Sequence, residues 1–210
     1  MQIESSGART WWSYPFKPVR VRESIFESLV REEWILEKKY DGFRAIAIAG
    51  PNGVSLWTRD RARIAMPDNL REQVASLNLP SGTVLDGEIW TPTKRGSWRH
   101  HREVKCSLTL WDAMRTGSVD LSKSPVEERR RALKALIGKG TDEVGVVEWL
   151  PASAESYAEV RKEAESFRVQ ERSRSGFVHG AVLKRLGSPR RDHAVRCVEH
   201  PDWLKLVVDV

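Results

Sequence analysis

The stretch "LEKKYDGFRA", residues 36–45, gathers Glu37, Lys38, Lys39, Asp41 and Arg44 around one glycine, Gly42. Charge this dense ordinarily marks a solvated loop, yet its flanks "EEWI" and "IAIAG" are apolar enough for core strands. The pattern predicts a strand over 34–39, a turn at Asp41-Gly42 and a returning strand over 43–49, a hairpin-like pair. Lys39 and Arg44 would then meet at one end of a sheet, while Lys38 points to the opposite face. A lysine set among fixed cations and partly desolvated has a lowered pKa, which suits it to act as a nucleophile near neutral pH.

Working outward, residues 1–20 read as an N-terminal arm, because "YPFKPV" is too rich in proline for a helix. Residues 24–33 suggest a short helix from Ser24. "GPNG" (50–53) is a turn leading into a strand over 54–59. A helix over 66–77 takes Asp68 as its N-cap. Strands follow over 83–90 and 107–114, where alternation puts Trp111 on the face opposite Leu108, Leu110 and Asp112. The helix in "SKSPVEERRRALKALIGKG" has Ser124 as cap, Pro125 at its first position, Glu127 completing a capping box and Gly138 at its end. A strand over 145–150, a helix from Ser153 to about residue 171, and strands over 176–186 and 202–210 complete the chain. Strands early and late with helices inserted between them predict one α+β domain over 1–210 with mainly antiparallel sheets.

The chain has 210 residues, 40% hydrophobic and 30% charged, as befits a soluble protein with a real core. It contains no run of about 18 apolar residues and no apolar leader. Cys106 and Cys197 are too few for a disulfide framework or a cysteine metal site, so a cytoplasmic location is the expectation. A net charge of +6 favours a polyanionic partner. Basic residues cluster in 94–105 and 184–196; in the first, Lys94, Arg95, Arg99 and Arg102 interleave with Trp98, His100 and His101, a mixture suited to nucleic acid. Most of the nine tryptophans belong in the core.

Several short motifs in one order resemble the covalent nucleotidyltransferases, which include ATP-dependent DNA ligases, RNA ligases and mRNA capping enzymes. Lys39-Tyr40-Asp41-Gly42-Phe43-Arg44 is similar to their K-x-D-G-x-R; Thr58-Arg59, Asp86-Gly87-Glu88, Trp111-Asp112, "HGAVLK" ending at Lys184 and "WLKLV" with Lys205 follow in family order. The wording "WILEKKYDGFRAIA" looks most like the bacterial ATP-dependent DNA ligases, and the resemblance runs over about residues 15 to 207. It implies the ATP-grasp-like adenylation fold, with ATP and Mg²⁺ or Mn²⁺ as cofactors. Lys39 would attack the α-phosphate of ATP to give a lysyl-AMP. The AMP would pass to a nucleic-acid 5′-phosphate for strand sealing, on a nicked duplex of DNA rather than RNA, as in replication and repair. By the same resemblance Glu37 recognises adenine, Arg44 the ribose or its phosphate, Arg59 the nucleotide or an incoming 5′-phosphate, Glu88 the ribose or a metal, and Trp111 stacks on the base. Lys184 and Lys205 neutralise phosphate charge.

The sequence departs from the family pattern in three places. His179-Gly180 stands where Glu-Gly is usual, and neutral imidazole is a poor Mg²⁺ ligand. Val207 stands where a second lysine is usual. No OB-fold is expected within 210 residues. Three readings follow: a DNA ligase adenylation core, with an OB-fold or accessory protein acting in trans; an RNA ligase of the same fold; and a catalytically weakened relative that binds nucleotide or nucleic acid.

Overall fold

The computed structural model describes residues 13–29, 33–91, 105–170 and 178–208. Their strands fall into two sheets. The first has the order β1 (Lys17–Val21), β12 (Glu199–Val207), β11 (Val178–Arg185), β2 (Trp34–Tyr40) and β10 (Leu150–Pro151). The second has the order β5 (Arg63–Ile64), β4 (Gly53–Trp57), β3 (Phe43–Gly50), β6 (Val84–Trp90), β7 (Ser107–Thr116) and β8 (Val119–Asp120), with β9 (Val144–Val146) also paired to β7. Pairing is antiparallel except for β1 with β12 and β7 with β9.

The largest correction to the sequence reading concerns the opening stretch. β2 and β3 do not form a hairpin; they belong to different sheets. β2 pairs with β11 and β10, whereas β3 pairs with β4 and β6. Asp41-Gly42 therefore carries the chain from one sheet to the other. Gly42 is required there by close approach: a Cβ would lie 2.5 Å from the Ile89 carbonyl oxygen and 2.9 Å from Cγ of Glu88. The Tyr40 ring stacks on that of Trp90, with centroids 5.9 Å apart. The strand expected over 145–150 likewise divides, β9 joining the larger sheet and β10 the smaller.

Alternation explains which faces are covered. On the smaller sheet Leu36, Ala181, Leu183, Leu204 and Leu206 pack with Tyr157, Val160 and Ala164 of α4 (Ala154–Gln170). Lys38 points the same way and pairs with Glu163 of α4 at 2.8 Å, as expected for a lysine facing away from Lys39. On the larger sheet Ala45, Leu85, Ile89, Leu108 and Leu110 pack under α2 (Asp68–Ser76) and α3 (Val126–Ile137), through Leu70, Val74, Leu133 and Ile137. The remaining faces carry the charged residues described below, and Phe16, Trp203, Trp111, Trp149 and Val182 form an apolar cluster among them.

Local expectations fared unevenly. The helix expected from Ser24 is a 3₁₀ turn over Glu23–Ile25 followed by α1 (Phe26–Leu29). Residues 17–20, expected in an arm, lie in β1. Asp68 is the first helical residue rather than the cap, which is Pro67. Pro125 occupies the N-cap of α3 without a side-chain bond; Glu127 instead accepts the Gly187 N–H at 3.0 Å, so no capping box forms. Gly138 ends that helix at φ 58° as expected, and Ser153 Oγ caps α4 by accepting the Ser156 N–H at 3.2 Å. The strand expected over 54–59 ends at Trp57.

Gly180 sits at φ +148°, and a Cβ there would collide with the Leu206 carbonyl oxygen on β12. Backbone carbonyls cannot move aside as a side-chain tip can. Gly180→Ala is therefore expected to lower stability by about 2–4 kcal/mol, measured as a shift of the urea midpoint.

Candidate active site

Pairing register brings the sequence-predicted residues together from both sheets. On the smaller sheet Lys39 pairs with Gly180, Glu37 with Val182, and Val182 with Lys205. Lys39, Glu37, Lys184 and Lys205 thus share the face turned away from α4. On the larger sheet Arg44 pairs with Glu88, and Asp86 with Asp112; Arg44, Asp86 and Glu88 share the face turned away from α2 and α3. The Asp41-Gly42 crossing joins the two sets.

Glu88 is partly exposed and accepts the Gly42 N–H at 3.1 Å. Burial pushes its pKa up to about 7 despite the opposing pull of Lys39 and Arg44. Lys39 is also partly exposed, and its ammonium donates to the Tyr40 carbonyl at 3.3 Å. Lys205 is held below the usual lysine range, first by burial and then by Lys39 and Lys17. These groups form a site of mixed charge in which one carboxylate stands among several cations.

Glu37 and Lys184 find each other. The Lys184 ammonium lies 2.7 Å from Glu37 Oε2, donates to the Trp111 carbonyl at 3.1 Å, and sits 4.0 Å over the Trp203 ring. Trp149 Nε1 donates to Glu37 Oε1 at 2.6 Å. Both charged groups are buried. Burial raises the Glu37 pKa and lowers that of Lys184, in each case against the pull of the other. Desolvation outweighs the mutual attraction, so the pair fixes geometry more than it adds stability.

The unforeseen part of the site is a buried ion-pair network. Asp86 binds Arg44 at 2.6 Å and Arg190 at 3.0 Å. Asp112 binds Arg190 at 2.7 Å and Arg129 of α3 at 2.8 Å. Arg190 also binds Asp192 at 2.8 Å, and Arg44 donates to the Phe16 carbonyl. Within the basic run 184–196, Lys184 and Arg190 thus turn inward. The signal that could have found this was the pair of acids Asp86 and Asp112 within apolar strands, since buried carboxylates require cations.

Trp111 lies on the face opposite Leu108 and Leu110 as alternation predicts, and Asp112 is the residue that departs from it. The register shifts by one residue where Asp86 faces Asp112 but Gly87 faces Leu110. This bulge leaves Trp111 as the extra residue. Leu110 packs in the α2–α3 core, Trp111 packs in the cluster with Phe16, Val126 and Trp203, and Asp112 meets Arg190. Arg44 lies 5.9 Å over the Trp111 ring. Arg59 lies past the end of β4, exposed, 3.5 Å from Asp60. Lys94, Arg95, Arg99 and Arg102 lie outside the described residues. His179 stands at the irregularity between Val178 and Gly180 in β11, and its carbonyl accepts the Val208 N–H at 3.3 Å.

Removing Arg190 would leave each of two buried carboxylates with one arginine instead of two, Asp86 with Arg44 and Asp112 with Arg129. Arg190→Met is expected to cost about 3–5 kcal/mol, read from chemical denaturation. The pH dependence has two parts. Glu88 has a raised folded pKa, so its ionisation opposes folding: stability should fall as pH rises from about 4.5 to about 7, and Glu88→Gln should flatten that slope. Burial raises and the arginines lower the pKa of Asp86 and Asp112, with a net fall below the ordinary aspartate range, so their contribution is lost only as pH drops below that range.

Comparison with known proteins places the fold in a family. Residues 16–189 match the family model described as the ATP dependent DNA ligase domain. The SPbeta prophage-derived DNA ligase-like protein LigB of Bacillus subtilis (strain 168) is 25% identical over 201 residues, 88% of this chain and 64% of that protein. The ligase domain of M. tuberculosis LigD superposes with a TM-score of 0.66 at 20% identity, over 91% of this chain and 58% of that one. The ATP-dependent DNA ligase of bacteriophage T7, in complex with ATP, gives 0.59 at 17% identity, over 92% of this chain and 68% of that one. The chain thus spans somewhat under two thirds of the first two relatives. With its motif residues meeting where β2 passes to β3, the chain belongs to the ATP-dependent DNA ligase domain family.

Proposed function

We propose that this chain forms a covalent lysyl-AMP at Lys39 and passes the AMP to the 5′-phosphate of a nicked DNA duplex. The observation that carries the reading is the meeting, at the Asp41-Gly42 crossing, of Lys39 and Lys205 from one sheet with Arg44 and Glu88 from the other. The Lys39 amine forms a bond to the α-phosphorus of ATP, the bond to pyrophosphate breaks, and the amine releases a proton. Lys205, kept partly exposed among other cations, offsets charge gathering on the phosphate oxygens. Arg44, fixed by Asp86, holds the ribose or the neighbouring phosphate, and Trp111 offers a ring to the base. Glu37 serves adenine by way of a carboxylate already oriented by Trp149 and Lys184. Arg59 meets the incoming 5′-phosphate, and Lys94, Arg95, Arg99 and Arg102 contact the duplex backbone.

A divalent cation fits the donor set. Among the described residues no three His, Cys, Asp or Glu side chains gather as a metal cage. One carboxylate, Glu88, together with waters and substrate phosphates, is an ordinary environment for Mg²⁺ or Mn²⁺. Such an ion would draw charge from the phosphate oxygens. Among the described residues no helix is long and apolar enough to cross a membrane, and we place the protein's work in the cytoplasm.

Incubation with labelled ATP and Mg²⁺ or Mn²⁺ should give a protein adduct that survives denaturation. Lys39→Ala should abolish it, and Lys205→Ala should slow it about a hundredfold. Labelling by GTP would favour capping chemistry instead, and sealing of nicked RNA over nicked DNA would favour an RNA ligase. Absence of any adduct with either metal, alone or with a supplied OB-fold domain, would leave a nucleotide- or nucleic-acid-binding relative.

A further inference from the structure

The chain's second passage between the sheets runs from β9 to β10 through Val147, Glu148 and Trp149. Both ends of it are pinned. The Val147 N–H donates to the Leu110 carbonyl at 2.9 Å, and the Val147 carbonyl accepts from Arg130 of α3. Beyond the passage Leu150 pairs with Leu36 and Pro151 with Ile35; continuing that register sets Trp149 opposite Glu37. The Arg130 guanidinium lies 5.2 Å over the Trp149 ring, and the indole packs with the cluster around Trp203. A tryptophan that only filled this cluster would need no particular direction for its N–H.

That N–H is committed to one atom. It donates to Glu37 Oε1 at 2.6 Å. The Lys184 ammonium lies 2.8 Å from Oε1 and 2.7 Å from Oε2. A carboxylate oxygen accepts about two hydrogen bonds. Oε1 therefore has both places taken, whereas among the described residues Oε2 meets Lys184 alone and retains capacity for one more donor. Lys184 is itself fixed by the Trp111 carbonyl and the face of Trp203. Neither donor on Oε1 can turn away without leaving a buried polar group unpaired, which is costly. The two oxygens of one carboxylate are thus made unequal, and the indole N–H is what makes them so.

We propose that Trp149 is a positioning residue that, through Glu37, makes the site selective for a purine base carrying a 6-amino group. By occupying Oε1 it leaves Oε2 as the oxygen available to a ligand, with capacity for a single donor. The amino group of adenine supplies that donor; a 6-oxo base presents an oxygen to the same carboxylate and is repelled, and a base with hydrogen there leaves the buried acceptor unsatisfied. The inference rests on the ligase reading above and deepens it, because Glu37 meets adenine only in that reading. Electrostatics act in the same direction. Burial leaves the pKa of Glu37 raised, and Lys184, Arg130 and the Trp149 N–H oppose that rise. Losing the N–H would remove part of what keeps the group an acceptor.

Binding tests this without calling on catalysis. The full chain is titrated, without divalent cation so that no adduct forms, with three nucleotides. They are ATP, purine riboside triphosphate with hydrogen in place of the 6-amino group, and inosine triphosphate with oxygen there. The wild type should bind ATP about tenfold tighter than either analogue. Trp149→Phe keeps an aromatic ring in the cluster and removes the N–H. It should weaken ATP about tenfold and leave purine riboside triphosphate unchanged. Glu37→Gln should abolish the same preference, and adding Trp149→Phe to it should cost nothing more, since both act through one carboxylate. If Glu37→Gln does not fold around the buried Lys184, the Trp149→Phe titrations decide alone. An equal loss for all three nucleotides in Trp149→Phe marks a packing role and overturns the proposal, as does a wild type that binds ATP and purine riboside triphosphate alike. A wild type that keeps these preferences yet takes up no label from ATP with Mg²⁺ or Mn²⁺ counts against the ligase reading and leaves the role of Trp149 standing.

Discussion

Asp86 and Asp112 face each other on adjacent strands, both fully buried. Two carboxylates so placed cannot remain ionised without cations, and ionised they bind those cations firmly. Arg44, Arg129 and Arg190 answer that requirement from three separate parts of the chain: the strand after the sheet crossing, helix α3, and the segment between β11 and β12. Arg190 touches both acids and is itself tied to Asp192, whose carboxylate accepts the Phe16 N–H at 3.3 Å. Arg44 returns to the Phe16 carbonyl. The backbone before β1 is thereby clasped on both sides, and β1 lies where Arg20 can stand beside Lys205. A hydrophobic substitute for the whole network could be as stable. It would lack the directional bonds that set one orientation of these segments.

The second constraint is topological. The chain begins in the smaller sheet, enters the larger one at Gly42, and leaves it between Val146 and Leu150. Both passages border the site. At the first, Tyr40 on Trp90 and the Gly42 N–H on Glu88 fix the end of the strand that carries Lys39. At the second, the Val147 carbonyl accepts from Arg130, whose guanidinium lies 5.2 Å over the Trp149 ring, and Trp149 in turn holds Glu37. Side chains from the two sheets are thus positioned by short connections rather than by long loops, which limits how far the sheets can shift without breaking named contacts.

Much of this was legible in the sequence. The strands around Lys39, Glu88, Trp111, Lys184 and Lys205, the mainly antiparallel pairing, and the outward turn of Lys38 all follow from alternation and composition. The failures have identifiable causes. Asp41-Gly42 has hairpin chemistry, and local residues do not reveal that the next strand joins another sheet. Alternation placed Trp111 opposite Leu108 and Leu110 correctly but failed at Asp112, because a bulge adds one residue and leaves no sequence mark. The caps at Asp68 and Ser124 failed because a proline took the N-cap in each helix, and Glu127 was drawn to the Gly187 N–H. The inward turn of Arg190 in the basic run 184–196 was not foreseen, because a local charge count cannot see Asp86 and Asp112, which lie 104 and 78 residues earlier in the chain.

The two lysines assigned to phosphate show how burial separates residues that a motif treats alike. Lys184 and Lys205 lie on neighbouring strands and on the same face. Lys184 is fully buried, and its three hydrogens can be satisfied by Glu37, the Trp111 carbonyl and the face of Trp203. Freeing it for a ligand would expose Glu37 as an unpaired buried charge, a cost of several kcal/mol. Lys205 is partly exposed and feels the cations Lys39 and Lys17 more than the acid Glu199, which is itself shared with Lys17. An incoming phosphate gains from Lys205 what it would have to take from Lys184. The two lysines thus differ in surroundings: Lys184 is tied to Glu37 and to the Trp111 carbonyl of the other sheet, while Lys205 keeps a partly exposed charge near Lys39.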